Sequence, residues 1–301
     1  MSGRLVWMCP KPETPSGGVA FIHQLAALAD KPGRPSIVFQ MQPFSCWWMA
    51  KPIDERLIHS GSLEFRPDDI IICPEVLWGQ AKALSPKKIC FVQNHIWIEK
   101  LEAGTPVLVP SRYLANYVKR VWNCNVIGKV TPFLDEGVWP TVRQQERDRV
   151  LLMARRNDYH PAMKSALEAA GFTVDYVTEP LTQRQLAEHL SHAEFYVHLT
   201  HPEGFPLACL EAMRSGTIVV GTTGGGGVEL MHAGETAVVV QAPSSVTYTE
   251  PAEFISRIME QMQILRADAN LRSRLWQQAY QWSLRYTAEA TMKELEAIFP
   301  V

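Results

Sequence analysis

Residues 201–229 read HPEGFPLACLEAMRSGTIVVGTTGGGGVE. Two carboxylates, Glu203 and Glu211, stand eight residues apart in this stretch, and a third, Glu229, follows a cluster of glycines. A carboxylate directly before Gly204-Phe205-Pro206 lies in a loop that must turn sharply. Residues 206–215 then read as a short helix. Pro206 is acceptable in its first turn, where a backbone N–H has no intrahelical partner. Residues 217–221 read as a buried strand. A loop that runs into a helix N-terminus offers free N–H groups and a positive dipole end, both suited to phosphate. Carboxylates on either side accept hydrogen bonds from hydroxyls. Phosphate and sugar hydroxyls together describe a nucleotide-sugar.

Outward from this stretch, strands and helices alternate. RLVWMC is a candidate first strand, and SGGVAFIHQLAALAD carries apolar residues at helical spacing. SIVFQ, DIIIC, KKICFVQ and TPVLVP read as buried strands, and Ser111 is an N-cap candidate for RYLANYVKRVW. WPTVRQQERDR reads as a linker, after which VLLMA, FTVDYV, EFYVHL, TIVVG and TAVVV read as strands. Helices are expected between them at YHPAMKSALEAAG and, capped by Thr182, at TQRQLAEHLSHA. The segment 251–299 is helical throughout. This alternation implies an α/β fold of two Rossmann-like units in tandem, with helices on both faces of parallel sheets. Ligands of such sheets bind at the carboxyl ends of the strands.

Composition narrows the class. The chain has 301 residues, enough for two domains that each bury a core. Hydrophobic residues make up 47% and charged residues 20%, as in a globular protein. No apolar run reaches transmembrane length, and MSGRLVWMCPKP lacks the pattern of a signal peptide. The six cysteines form no C-x-x-C pair, so free thiols in a reducing, cytoplasmic compartment are expected, and no metal site. A net charge of −2 argues against nucleic acid as a partner. The charge divides into roughly +3 up to residue 140 and roughly −5 beyond it. That asymmetry admits an anionic acceptor, peripheral contact with the inner face of a membrane, or no function at all. The oligomeric state is not legible.

The block E-G-F-P-L-x-x-L-E-A-M resembles the E-x7-E motif of the retaining GT-B glycosyltransferases of group 1, the GT4-like set. The following G-T-T-G-G-G-G-V-E is similar to that family's Gly-Gly-x-x-Glu element. The resemblance is densest over residues 150–240. It implies a GT-B fold: an acceptor-side domain over 1–143, a nucleotide-sugar domain over 144–284, and a terminal helix, 285–301, returning to the first domain, with the ligand cleft between the two domains. It implies a hexose-type sugar moved from a nucleotide-sugar to a glycan, lipid or small-molecule acceptor, with no bound metal and no resident cofactor.

The resemblance also assigns residues. Glu211 binds ribose, and Glu203 faces the transferred sugar with the backbone of Gly204, Phe205, Pro206 and Leu207. Arg155 and Arg156, at the end of the strand VLLMA, clamp the donor phosphates; read from the residues alone, the pair also suits a solvated strand end. The family's spaced Arg and Lys is not matched, since His160 stands where that Lys would be. The division of labour between Arg155, Arg156 and Lys164 stays open. Gly17 and Gly18 resemble the family's N-terminal glycine loop, where a missing side chain lets backbone approach a phosphate or acceptor; a simple turn is the alternative. His95, beside Gln93 and Asn94, faces the sugar in the family, or is an ordinary loop residue. His201 is expected to orient Glu203, and His198 to be buried in its strand. A front-face transfer, in which the leaving phosphate oxygen takes the acceptor proton, is expected over a covalent intermediate on Glu203.

Two other readings use the same residues. A nucleotide-sugar 2-epimerase needs acid/base groups of which no clear set is visible. A non-catalytic nucleotide-sugar-binding protein would not need Glu203, Glu211 and the Arg pair intact. A dehydrogenase is disfavoured, because no G-x-G-x-x-G follows the first strand. The cluster Trp47-Trp48-Met49 suits either an acceptor- or membrane-touching loop or core packing.

Overall fold

The computed structural model describes residues 3–139, 144–154, 159–242 and 251–300. The chain divides into two compact units, Met1–Phe133 with Tyr286–Val301, and Leu134–Arg285.

In the first unit β1 (Leu5–Cys9), α1 (Gly17–Ala29), β2 (Ser36–Gln40), β3 (Ile58–Ser60) and β4 (Ile70–Pro74) lead to a short α2 (Trp78–Ala81). Then come β5 (Lys87–Phe91), β6 (Pro106–Val109), α3 (Arg112–Val121) and β7 (Asn125–Lys129). The strands form one parallel sheet in the order β3-β2-β1-β4-β5-β6-β7. Alternation along β1 serves both faces: Leu5, Trp7 and Cys9 join α1 in one core, Val6 and Met8 join Ile37, Phe39 and Ile71 in another. Ser111 caps α3 by accepting from Leu114 N at 3.2 Å.

The second unit runs β8 (Glu146–Met153), α4 (His160–Ala169), β9 (Thr173–Val177), α5 (Gln183–His192), β10 (Ala193–His198), α6 (Leu207–Arg214), β11 (Ile218–Gly221) and β12 (Val238–Val239). It continues with α7 (Pro251–Ala267) and α8 (Ala269–Ser283). Its sheet is also parallel, in the order β12-β11-β10-β8-β9. Val150, Leu152, Phe195, Val197, Ile218 and Val220 pack against α4 and α7. Thr182 and Gln185 form a reciprocal capping box at α5.

The last helix, α9 (Ala288–Ile298), belongs to the first unit. Leu295 and Phe299 enter the core around Trp7, the Phe299 ring meeting the Trp7 ring edge-on at 6.5 Å. Thr291 Oγ1 donates to Thr131 O at 2.6 Å, and Arg34 donates to the carbonyl of Phe299.

Three local expectations are corrected. β8 begins at Glu146, inside the stretch read as a linker; its first residues are solvent-facing and carry no apolar signal. TAVVV yields only the two residues of β12. Pro206 caps α6 from outside rather than occupying its first turn.

Both sheets reverse strand order once. The reversal falls between β1 and β4 in the first unit and between β8 and β10 in the second. In open α/β sheets that point opens a crevice at the carboxyl ends of the two strands.

Candidate functional site

In the second unit the crevice lies at the carboxyl ends of β8 and β10. The β10 loop, residues 199–206, carries Glu203 and runs into α6. It is tied to the loop after β11. Glu203 N donates to Gly224 O at 2.6 Å, and Gly226 N donates to Glu203 O at 2.8 Å. The two loops meet backbone to backbone, which explains the glycines. A Cβ at Gly226 would lie 2.0 Å from the carbonyl oxygen of Gly204, and one at Gly224 2.7 Å from the Cβ of Glu203. Gly224 and Gly225 also have φ of +61° and +94°, which side chains disfavour. The cluster GGGG is thus a surface against which the Glu203 loop is moulded.

Glu203 is half-buried, and its Oε1 accepts from Gly204 N at 3.2 Å. Gly204, Phe205 and Pro206 are buried, and Leu207 opens α6. Glu211, one helical turn further on, is only 8% exposed. Both carboxylates lie near the buried Cys209 thiol, whose pKa is pushed well up by burial first and then by the two acids. Both acids are therefore within electrostatic reach of one buried thiol in α6.

Arg155 and Arg156 lie outside the described residues. Lys164 pairs with Glu168 one turn along α4, at 2.7 Å. His160 and His198 are both buried. The His198 pKa is pushed down to about 4, by burial first and by neighbouring His160 second, so its ring is neutral at pH 7. His201 is half-buried, and burial lowers its pKa.

In the first unit the structure joins Gly18 to the loop carrying His95. Ser16 caps α1, accepting from Val19 N at 3.3 Å. Gln93 Nε2 donates to Gly18 O at 3.0 Å, and a Cβ at Gly18 would lie 2.2 Å from Gln93 Oε1. Gly17 and Gly18 thus open a helix whose N-terminus is packed against the 93–95 loop. His95 begins a short 3-10 turn and stacks on Tyr117, ring centroids 4.0 Å apart.

Glu75 holds that loop and was not legible in the sequence. It directly follows β4, at the strand-order reversal, and is buried. Its carboxylate accepts from Gln93 N at 3.0 Å and Asn94 N at 2.8 Å. Burial pushes its pKa up to about 7 against the pull of these amides. The native state therefore binds the proton more tightly than the unfolded chain does. The stabilisation is whole below the unfolded value of 4.5 and is lost as pH rises through 7. Over that window it amounts to about 3 kcal/mol. Glu75→Gln is expected to flatten this fall, read as urea midpoints at both ends of the range. An unchanged pH slope would assign it to another group.

Residues 126–261 match the family model of Glycosyl transferases group 1. The chain is similar to an alpha-1,6-glucosyltransferase of Actinobacillus pleuropneumoniae serotype 7 (strain AP76), 26% identical over 190 residues. That match covers 56% of this chain and spans 57% of the relative's length. Among solved structures, sucrose-phosphate synthase (tll1590) from Thermosynechococcus elongatus superposes with a TM-score of 0.67 at 12% identity, covering 99% of this chain and 98% of that one. Anabaena Alr3699/HepE, solved with UDP and glucose, gives a TM-score of 0.63 at 11% identity, covering 97% and 98%. At such identities the likeness is one of fold, and the fold is GT-B.

Proposed function

Because residues 126–261 match the family model of Glycosyl transferases group 1, we propose that this chain moves a hexose-type sugar from a nucleotide-sugar to an acceptor, with retention of configuration. The observation that carries this reading is the position of the Glu203 loop. It lies at the strand-order reversal of the second sheet, moulded on glycine backbone and leading into the α6 N-terminus.

Glycosyl transfer builds negative charge on the departing diphosphate. Groups aimed at that charge stabilise the transition state more than the ground state. The α6 N-terminus offers a positive dipole end. Arg155 and Arg156 follow β8 in sequence, the other strand at the reversal. Glu203 accepts from hydroxyls of the transferred sugar, and Glu211 from the ribose. The acceptor proton passes to the leaving phosphate oxygen. With charge met by arginine and backbone dipoles, no resident cofactor or divalent ion is required. The free cysteines suit a reducing, cytoplasmic compartment. Among the described residues no helix is long and apolar enough to cross a membrane.

A panel of UDP-, GDP- and ADP-sugars read by thermal shift identifies the donor, and slow release of nucleoside diphosphate marks a transferase. With the cognate donor, Ala at the essential member of the Arg155–Arg156 pair is expected to lower kcat on the order of 10²-fold. Lys should restore part of it, since charge survives and bidentate geometry does not. Two single Ala variants at wild-type rate would place the clamp elsewhere. Activity lost in chelator and restored by Mg²⁺ would overturn the metal-free mechanism.

A further inference from the structure

A pocket of about 540 Å³ opens in the first unit beside the carboxyl end of β2, within the segment that leads to β3. Its volume falls in the range of small-ligand sites. Phe44, Met49, Ile53 and Ile58 form apolar walls. His23 and Gln40, each 1% exposed, form the floor. The segment is anchored rather than loose. Trp48 and Met49 are buried in the core of the unit, while Trp47 stays 55% exposed. Gln40 Oε1 accepts from Phe44 N and from Ser60 Oγ, both at 3.2 Å, pinning the two sides of the pocket.

The floor is polar and uncharged. His23 Nδ1 donates to Val19 O at 2.9 Å, which leaves Nε2 as the acceptor facing Gln40 Nε2 at 3.4 Å. Burial lowers the His23 pKa, so the ring stays neutral at pH 7. The Gln40 amide carries a second N–H, one donor for an incoming oxygen. Among the described residues the only charged one lining the pocket is Glu55, exposed at its mouth. A carboxylate at the mouth repels anions, and apolar walls give no compensation for a desolvated charge.

We propose that this pocket binds the apolar body of a small uncharged alcohol, its hydroxyl meeting the Gln40 amide. Occupancy of the pocket is measured without any nucleotide.

The test uses 1-octanol and octanoate, which share a chain length and differ in charge, titrated by calorimetry into the full chain. Octanol is expected to give a saturable one-site isotherm, with octanoate roughly tenfold weaker or more. Ser60→Trp places an indole at the exposed mouth and should weaken octanol roughly tenfold or more. Cys46 lines the pocket and is the one cysteine that is not fully buried, so octanol should protect it from N-ethylmaleimide. Equal octanol affinity in wild type and Ser60→Trp, equal affinity for octanoate, or unprotected Cys46 would each overturn the proposal. Should Ser60→Trp fail to fold, the Cys46 protection in wild type decides alone. Octanol binding in a protein that binds no nucleotide-sugar would sink the transferase reading and leave the pocket standing. The reverse result would sink only the pocket.

Discussion

Gly226→Ala is expected to destabilise the second unit by about 3 kcal/mol or more and to abolish tight nucleotide-sugar binding with it. The new Cβ would sit 2.0 Å from Gly204 O, 2.3 Å from Gly204 C and 2.7 Å from Glu203 O. All three are backbone atoms, so no side chain can swing aside. Either the Glu203 loop moves, or Gly226 does and breaks its bond to Glu203 O. Gly234→Ala is the control. Gly234 has φ of +76° and nothing within 4 Å of the built Cβ, so it carries backbone strain alone, about 1 kcal/mol. Urea midpoints of the two variants separate steric clash from strain. Equal losses would show that the two loops are not in backbone contact.

Glu211→Ala is expected to weaken binding of the cognate nucleoside diphosphate by between about 10²- and 10³-fold. A carboxylate that accepts from both ribose hydroxyls makes two charge-assisted bonds, each contributing about 1.5–3 kcal/mol, less what water restores. Glu211→Gln keeps the shape and one good acceptor, so it should fall between wild type and Ala. Calorimetry with the diphosphate reads the series directly. An unchanged affinity in a folded Ala variant would remove Glu211 from the site.

Much of the scaffold was legible because buried parallel strands read as continuous apolar runs. LVWMC, SIVFQ and EFYVHL needed no tertiary knowledge. The caps at Ser111 and Thr182 were legible because capping is a local bond. β3 and β7 were missed, being short strands at the sheet edges with partly exposed side chains and no apolar run. In the candidate site, the acids and glycines were legible as a pattern. Why glycine is required at 226 was not, since the contact is with backbone more than twenty residues away in sequence. Glu75 gave no signal at all. An acid before Val-Leu-Trp is by default a surface residue, and only the folded loop supplies the amides that make its burial tolerable. The pocket beside β2 was equally hidden, because it is the space between segments and not a property of any one of them.

The first unit is discontinuous in sequence, and this has a consequence for vectorial synthesis. Trp7 cannot be covered by Phe299, nor Thr131 meet Thr291, until residues 286–301 have been made. The second unit, continuous over 134–285, is complete before that. The emerging chain thus reverses the usual N-terminal-first order of domain completion. Its earliest strands wait, one core face open, for the segment that follows the whole of the second unit. A fragment cut at residue 133 would inherit the same open face permanently, and an isolated first unit needs 286–301 joined back to it.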